Sequence, residues 1–177
     1  MVASKTAGNR PIEEIFRKEQ VGSLCRTQPA VVNPTTALPE ALRKLREDSG
    51  GCVIVVEEGS SADGAAASGA QLRAVGILTE RDYLDKLAGK PLDPGATVAV
   101  FMTPSPKTIS REECLDTAIQ LMTRGGYRHL PLVDERGSLV GVLSARHIIS
   151  YLASLFPVEI MNLPPRVPQS VQARDGG

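Results

Sequence analysis

Thirteen residues recur in this chain: VGILTERDYLDKL, Val75 to Leu87, returns as VGVLSARHIISYL, Val140 to Leu152. Each copy reads as a short apolar strand, a polar turn and the opening of a helix. Upstream, a second block repeats without a gap. Val21, Leu24, Ala41, Leu45, Val53 and Val56 line up with Val98, Phe101, Ala118, Met122, Leu130 and Val133, a constant offset of 77 (98 − 21). The downstream offset is 65 (140 − 75), so the first copy carries 12 extra residues (77 − 65), which lie in GSSADGAAASGAQ, Gly59 to Gln71. Repetition at such a period marks one supersecondary unit used twice, and a lone unit of this size cannot bury both faces of its sheet.

The elements of that unit follow from periodicity. Leu38, Ala41, Leu42 and Leu45 share one helical face, and their counterparts are Leu115, Ala118, Ile119 and Met122. Pro39 falls in the first turn, where its missing N–H costs little. The apolar runs CVIVV (Cys52 to Val56) and AVGIL (Ala74 to Leu78) predict strands, followed by a helix from Thr79. The second copy predicts a helix from about Leu115 to Arg124, strands at His129 to Val133 and Leu139 to Leu143, and a helix from Ser144 to about Leu155. Gly137, closing the DERG turn, suits a left-handed position in a short hairpin. Pro131 inside an apolar run implies an edge strand or a bulge. With a strand near its start, each copy is β-α-β-β-α. The expected fold is α+β (α/β), two such repeats packed sheet to sheet about a pseudo-two-fold.

These repeats divide the chain into five segments. Residues 1–20 form an N-terminal extension, polar at first, then a short helix in which Ile12, Ile15 and Phe16 share a face. That helix is expected to dock on the first repeat or on a second subunit. The first repeat covers 21–90, with the Gly/Ala/Ser insertion at 59–71 read as a mobile hairpin loop. A linker at 91–97 lies in the proline-bearing run KPLDPGA. The second repeat covers 98–156, and a tail at 157–177 with four prolines is expected to be extended.

Twenty basic residues balance 20 acidic ones, which leaves no electrostatic footprint for a nucleic acid or an anionic membrane. No apolar run reaches the roughly 20 residues of a membrane span, and the opening MVASKTAGNR lacks the core of a secretory signal. Three cysteines without C-x-x-C spacing fit a reduced cytoplasm better than a disulfide or zinc framework. Cys25, Cys52 and Cys114 stand among apolar neighbours and read as core residues. Neither a phosphate loop, a G-x-S-x-G elbow nor a metal-ligand cluster is present, so no nucleophile has an evident base.

TERD, Thr79 to Asp82, is the stretch with chemistry in it. By itself it is a capping box, in which Thr79 caps the helix and Asp82 bonds back to the backbone. The same residues can serve a ligand. A helix start offers free N–H groups and a positive dipole end to phosphate, and a carboxylate can accept both hydroxyls of a ribose.

Taken together, VGILTERD, VGVLSAR, GGYRHLPLVD, FMTPSPKTI and LCRTQPAVV resemble a tandem pair of cystathionine-β-synthase (CBS) domains, often called a Bateman module. The resemblance covers about Val21 to Leu155. It implies a cleft between repeats holding an adenine nucleotide (AMP, ADP or ATP) or S-adenosylmethionine, with no other cofactor. Carried over residue by residue, Thr79 would meet the phosphate and Asp82 the ribose, while Ile109 and Pro131 would meet the base. Ile77, Lys107, Thr108, Tyr127, Arg128 and His129 would complete that cleft. Arg128 reads either as a phosphate partner or as a solvated charge, and His129 either as a phosphate partner or as a satisfied strand histidine.

The opposite cleft would draw on Val31, Val32, Gly51, Cys52, Ile54, Ser144, Arg146 and His147. It departs from the family pattern, because His147 stands where the ribose carboxylate belongs, and an imidazole cannot accept two hydroxyls. That cleft is expected to be empty, to serve a different ligand, or to be structural only. The resemblance further implies a regulatory, non-catalytic protein that forms homodimers and acts through a separate effector. The alternative is a dimerising scaffold in which T-x-x-D is only a cap.

Overall fold

The computed structural model describes residues 12–25, 28–48, 50–59, 71–91, 93 and 95–155. The first eleven residues, the insertion between 60 and 70, and the tail from 156 lie outside them, so the expectations placed there have no structural counterpart. Among the described residues the repeat is visible element by element. The first copy runs β1 (Ala30–Val32), α3 (Leu38–Glu47), β2 (Cys52–Glu58), β3 (Leu72–Thr79) and α4 (Glu80–Asp82). The second runs β5 (Ile109–Ser110), α6 (Leu115–Gly125), β6 (His129–Val133), β7 (Leu139–Ser144) and α7 (Ala145–Leu155). Short helices precede each copy: α1 (Ile12–Lys18) and α2 (Val21–Leu24) before the first, α5 (Val98–Phe101) before the second. A two-residue strand, β4 (Thr103–Pro104), follows α5.

The helix expected from Thr79 is α-helical only through Asp82, and Tyr83–Leu87 continues as a π-helix, with the Ala88 N–H bonded to the Tyr83 carbonyl. β2 and β3 form an antiparallel pair from Cys52↔Thr79 to Glu58↔Leu72.

The sheets are ordered β1-β2-β3-β4 and β5-β6-β7; β2 pairs parallel with β1 and antiparallel with β3, which pairs antiparallel with β4, and β6 pairs parallel with β5 and antiparallel with β7. β6 is therefore central, not an edge. Pro131 is tolerated there because β5 pairs only with Leu132 and Val133, and the register shifts between those two residues on the β7 side.

Continuous apolar strands follow from burial on two faces. Val53 and Val55 of β2 point to the first-repeat core with Val32, Leu38, Ala41, Leu45 and Leu78. Cys52, Ile54 and Val56 point the other way and, with Ile77, meet Val142 of the second sheet. That second layer is the sheet-to-sheet contact.

The short helices exchange places. Val21 and Leu24 of α2 are buried in the second-repeat core beside Leu115, Leu130 and Leu143, with Phe16 of α1 packed on the same cluster. Val98 of α5 is buried in the first-repeat core. Two antiparallel bridges fix the crossing, Gln20↔Cys114 and Ala37↔Thr97. The expectation that the N-terminal helix docks on the first repeat is thus corrected, because α1 lies on α6 of the second repeat. Two glycines make room for the crossing segments. A Cβ on Gly76 of β3 would overlap the Met102 side chain, and one on Gly141 of β7 would overlap the Cys25 sulfur. These are the glycines of the recurring VG-I-L and VG-V-L strands.

Candidate functional site

The Thr79–Asp82 turn lies at the mouth of a cleft between the repeats, where β3 passes into α4. Thr79 and Asp82 cap one another. The Asp82 amide donates to Thr79 Oγ1 at 3.3 Å, and Asp82 Oδ2 accepts from the Thr79 amide at 3.0 Å and from its hydroxyl at 2.7 Å. The other oxygen, Oδ1, accepts from Lys86 Nζ at 2.7 Å and from the Thr103 hydroxyl at 3.1 Å. Burial pushes the Asp82 carboxyl up, but the bonds from Lys86 and Thr79 outweigh it and hold the group below its ordinary value. It is an anion at neutral pH.

The cleft encloses about 240 Å³ and is walled on the side of the first sheet by Ile77, Thr79, Asp82 and Thr103, and on the side of the second by Gly126, Tyr127, Arg128 and His129. Glu80, Arg81 and Asp85 of the helix, with Gly51 before β2, complete it. Six of the ten residues expected here therefore converge: Ile77, Thr79, Asp82, Tyr127, Arg128 and His129. Lys107, Thr108, Ile109 and Pro131 do not line the cleft. Ile109 is buried in the second-repeat core, and Pro131 is fully buried in the central strand of its sheet. Gly51, expected in the opposite cleft, belongs to this one.

His129 faces this cleft but is not a cation. Its Nε2 lies 2.9 Å from the Gly50 carbonyl, an acceptor, so that nitrogen carries the proton and donates. Burial lowers its pKa, with the Gly50 bond opposing. Arg128 is exposed at the rim and supplies positive charge there.

The opposite cleft is smaller, about 100 Å³, and Cys52, Ser144, Arg146 and His147 line it with Asp48, Gly50 and Val142. Val32 and Ile54 do not, since the first is in the first-repeat core and the second between the sheets. His147 reproduces the cap without the carboxylate: the Ser144 amide donates to His147 Nδ1 and the His147 amide to Ser144 Oγ, both at 3.3 Å. With Nδ1 accepting from Ser144, the ring has only an Nε2–H donor left to offer and can accept from neither hydroxyl of a ribose diol. Burial and, less strongly, the charge of Asp48 push the Cys52 thiol up to about 12, so it is inert.

A CBS domain family model matches residues 21–64 and 98–154, more than half of the chain. The chain belongs to the CBS domain family. Its two CBS repeats are those described above. Over 79% of its length the chain is 26% identical to an uncharacterized 17.7 kDa protein of Acidianus ambivalens, covering 77% of that protein. Other curated relatives are longer, and the chain spans 63% of one from Methanopyrus kandleri. Among solved structures, a CBS domain protein of Pyrobaculum aerophilum complexed with AMP is 25% identical with a TM-score of 0.62, over 78% of this chain and 99% of that one. CBSX2 in complex with AMP is 28% identical with a TM-score of 0.57, over 77% and 97%.

Proposed function

We propose that this CBS pair is a non-catalytic regulatory module that binds one adenine nucleotide, of the AMP type, in the cleft around Asp82. The observation that carries this reading is the convergence of Thr79, an ionised Asp82 and Arg128 on one cleft between the repeats, an acceptor for ribose hydroxyls beside donors for a phosphate. The AMP complexes of two relatives at 25% and 28% identity support the ligand class. ADP, ATP and S-adenosylmethionine are the competitors in the same titration. No group lining the cleft is poised as a nucleophile with a base, since its one histidine is committed to the Gly50 carbonyl.

A ligand held between the repeats regulates by favouring one arrangement of them over another, and an effector or a second copy of the chain reads that choice. Exposed Leu84 and Ile149, equivalent positions at the 65-residue offset, offer a helix face for a homodimer. No helix among the described residues is long and apolar enough to cross a membrane, and its described cysteines are free thiols, which suits a reducing cytoplasm.

One observation favours the scaffold reading: every acceptor position of Asp82 is filled from within the chain. Calorimetric titration of the whole chain with AMP separates the two. Binding that Asp82→Asn weakens supports the sensor, and no binding at any nucleotide supports the scaffold.

A further inference from the structure

A carboxylate offers about four acceptor positions, and on Asp82 all four are occupied by donors of this chain. The two on Oδ2 come from Thr79 and hold the helix start together. On Oδ1, the Lys86 ammonium at 2.7 Å is bonded also to the Phe101 carbonyl at 2.8 Å, and charge-assisted contacts of this kind are about twice as strong as neutral ones. The fourth donor is the Thr103 hydroxyl, uncharged where the Lys86 ammonium that shares Oδ1 is not, and it makes the longest contact to the carboxylate, 3.1 Å. Thr103 is exposed and, unlike Lys86, lines the cleft. It sits on β4, which pairs with Ile77 of β3 and follows α5, the helix that crosses into the first-repeat core.

We propose, given an adenosine ligand in the Asp82 cleft, that Thr103 is a placeholder for a ribose hydroxyl: it satisfies Oδ1 in the free protein and is exchanged for the sugar on binding. The exchange conserves the hydrogen bonds of the carboxylate and breaks the tie between the start of α4 and β4. Occupancy is thereby passed to the segment that joins the repeats. Thr103 also taxes affinity, because the ligand hydroxyl it stands in for must compete with it for Oδ1. One hydrogen bond to a charged group sets the size of that tax at roughly tenfold to a hundredfold in affinity.

The test is calorimetric binding of adenosine, 2′,3′-dideoxyadenosine and AMP to the full chain, to Thr103→Val and to Thr103→Ser, with circular dichroism checking that each is folded. The Val variant keeps the strand and the shape but loses the hydroxyl. It is expected to bind adenosine and AMP about tenfold to a hundredfold tighter than the parent, with Thr103→Ser at the parent value and dideoxyadenosine insensitive to all three. If the parent binds adenosine and the Val variant binds it equally or more weakly, the placeholder is overturned while the nucleotide site stands. If neither folded protein binds adenosine or AMP, the nucleotide site and the placeholder fall together.

Discussion

Lys86 reaches back one turn to place its ammonium 2.7 Å from Oδ1 of Asp82, and this pair keeps the carboxylate of the candidate site ionised in a half-buried place. Its folded pKa lies below the ordinary value of about 3.9. The stability from this lowered pKa is fully present above that value and is lost as the pH falls through the folded pKa. Removing the ammonium in Lys86→Met leaves burial, which pushes the carboxyl up, less opposed. The Asp82 titration is expected to move to higher pH, and the acid-unfolding midpoint with it. Carbon-13 shifts of the Asp82 carboxyl follow this directly, and an unmoved titration contradicts the assignment of Lys86 as its principal partner.

His129 carries the opposite chemistry, an imidazole kept neutral. Its folded pKa is below the ordinary value of about 6.5, first because of burial. The unfolded chain therefore takes up the proton sooner, and the stability present above about pH 6.5 is lost as the pH falls through the folded pKa. Urea midpoints at pH 7.5 and 5.5 should fall for the parent and fall less for His129→Gln. Equal losses in the two proteins would show that His129 does not contribute.

Cys52 is 1% exposed and its thiol is pushed up to about 12. At pH 8 it is protonated and shielded, so iodoacetamide should leave it unmodified in the folded protein and alkylate it in urea. Peptide mass spectrometry reads both states.

The exchanged helices make a prediction about distance along the chain. Leu24 precedes the first repeat but packs in the core of the second. Leu24→Ala should cost about 2–5 kcal/mol, and hydrogen exchange should report the loss in α6 and β6 before it reaches α3 and β2. Weakened protection confined to the first repeat would contradict the crossing.

Much of this was readable from residues alone. The offset of 77 predicts two copies of one unit packed sheet to sheet, and the CVIVV run predicts a strand. The T-x-x-D turn locates the cleft, and Tyr127, Arg128 and His129 come to it as the strand β6 begins. Which repeat a short segment docks against was not readable, because two related surfaces present the same apolar pattern and only the tertiary crossing chooses. Ile109 was misplaced by strand alternation, one register step sending its side chain to the core face instead of the cleft, whereas Pro131 alternates with the core residues Leu130 and Leu132 and is fully buried. Thr103 gave no signal, since its bond to Asp82 spans 21 residues and depends on β4 joining a sheet of the other repeat. Arg81 and Asp85 had one, their place on the first turns beside Asp82.

The most direct test is titration of AMP into the parent chain and into Asp82→Asn by calorimetry, with thermal unfolding of both recorded alongside. One AMP per chain is expected, since His147 denies the opposite cleft its carboxylate. Asp82→Asn, folded like the parent, should bind about tenfold to a hundredfold more weakly, the worth of a hydrogen bond to a charged group. A parent that takes up no AMP, or a variant that binds it as the parent does, would contradict a nucleotide sensor built on Asp82.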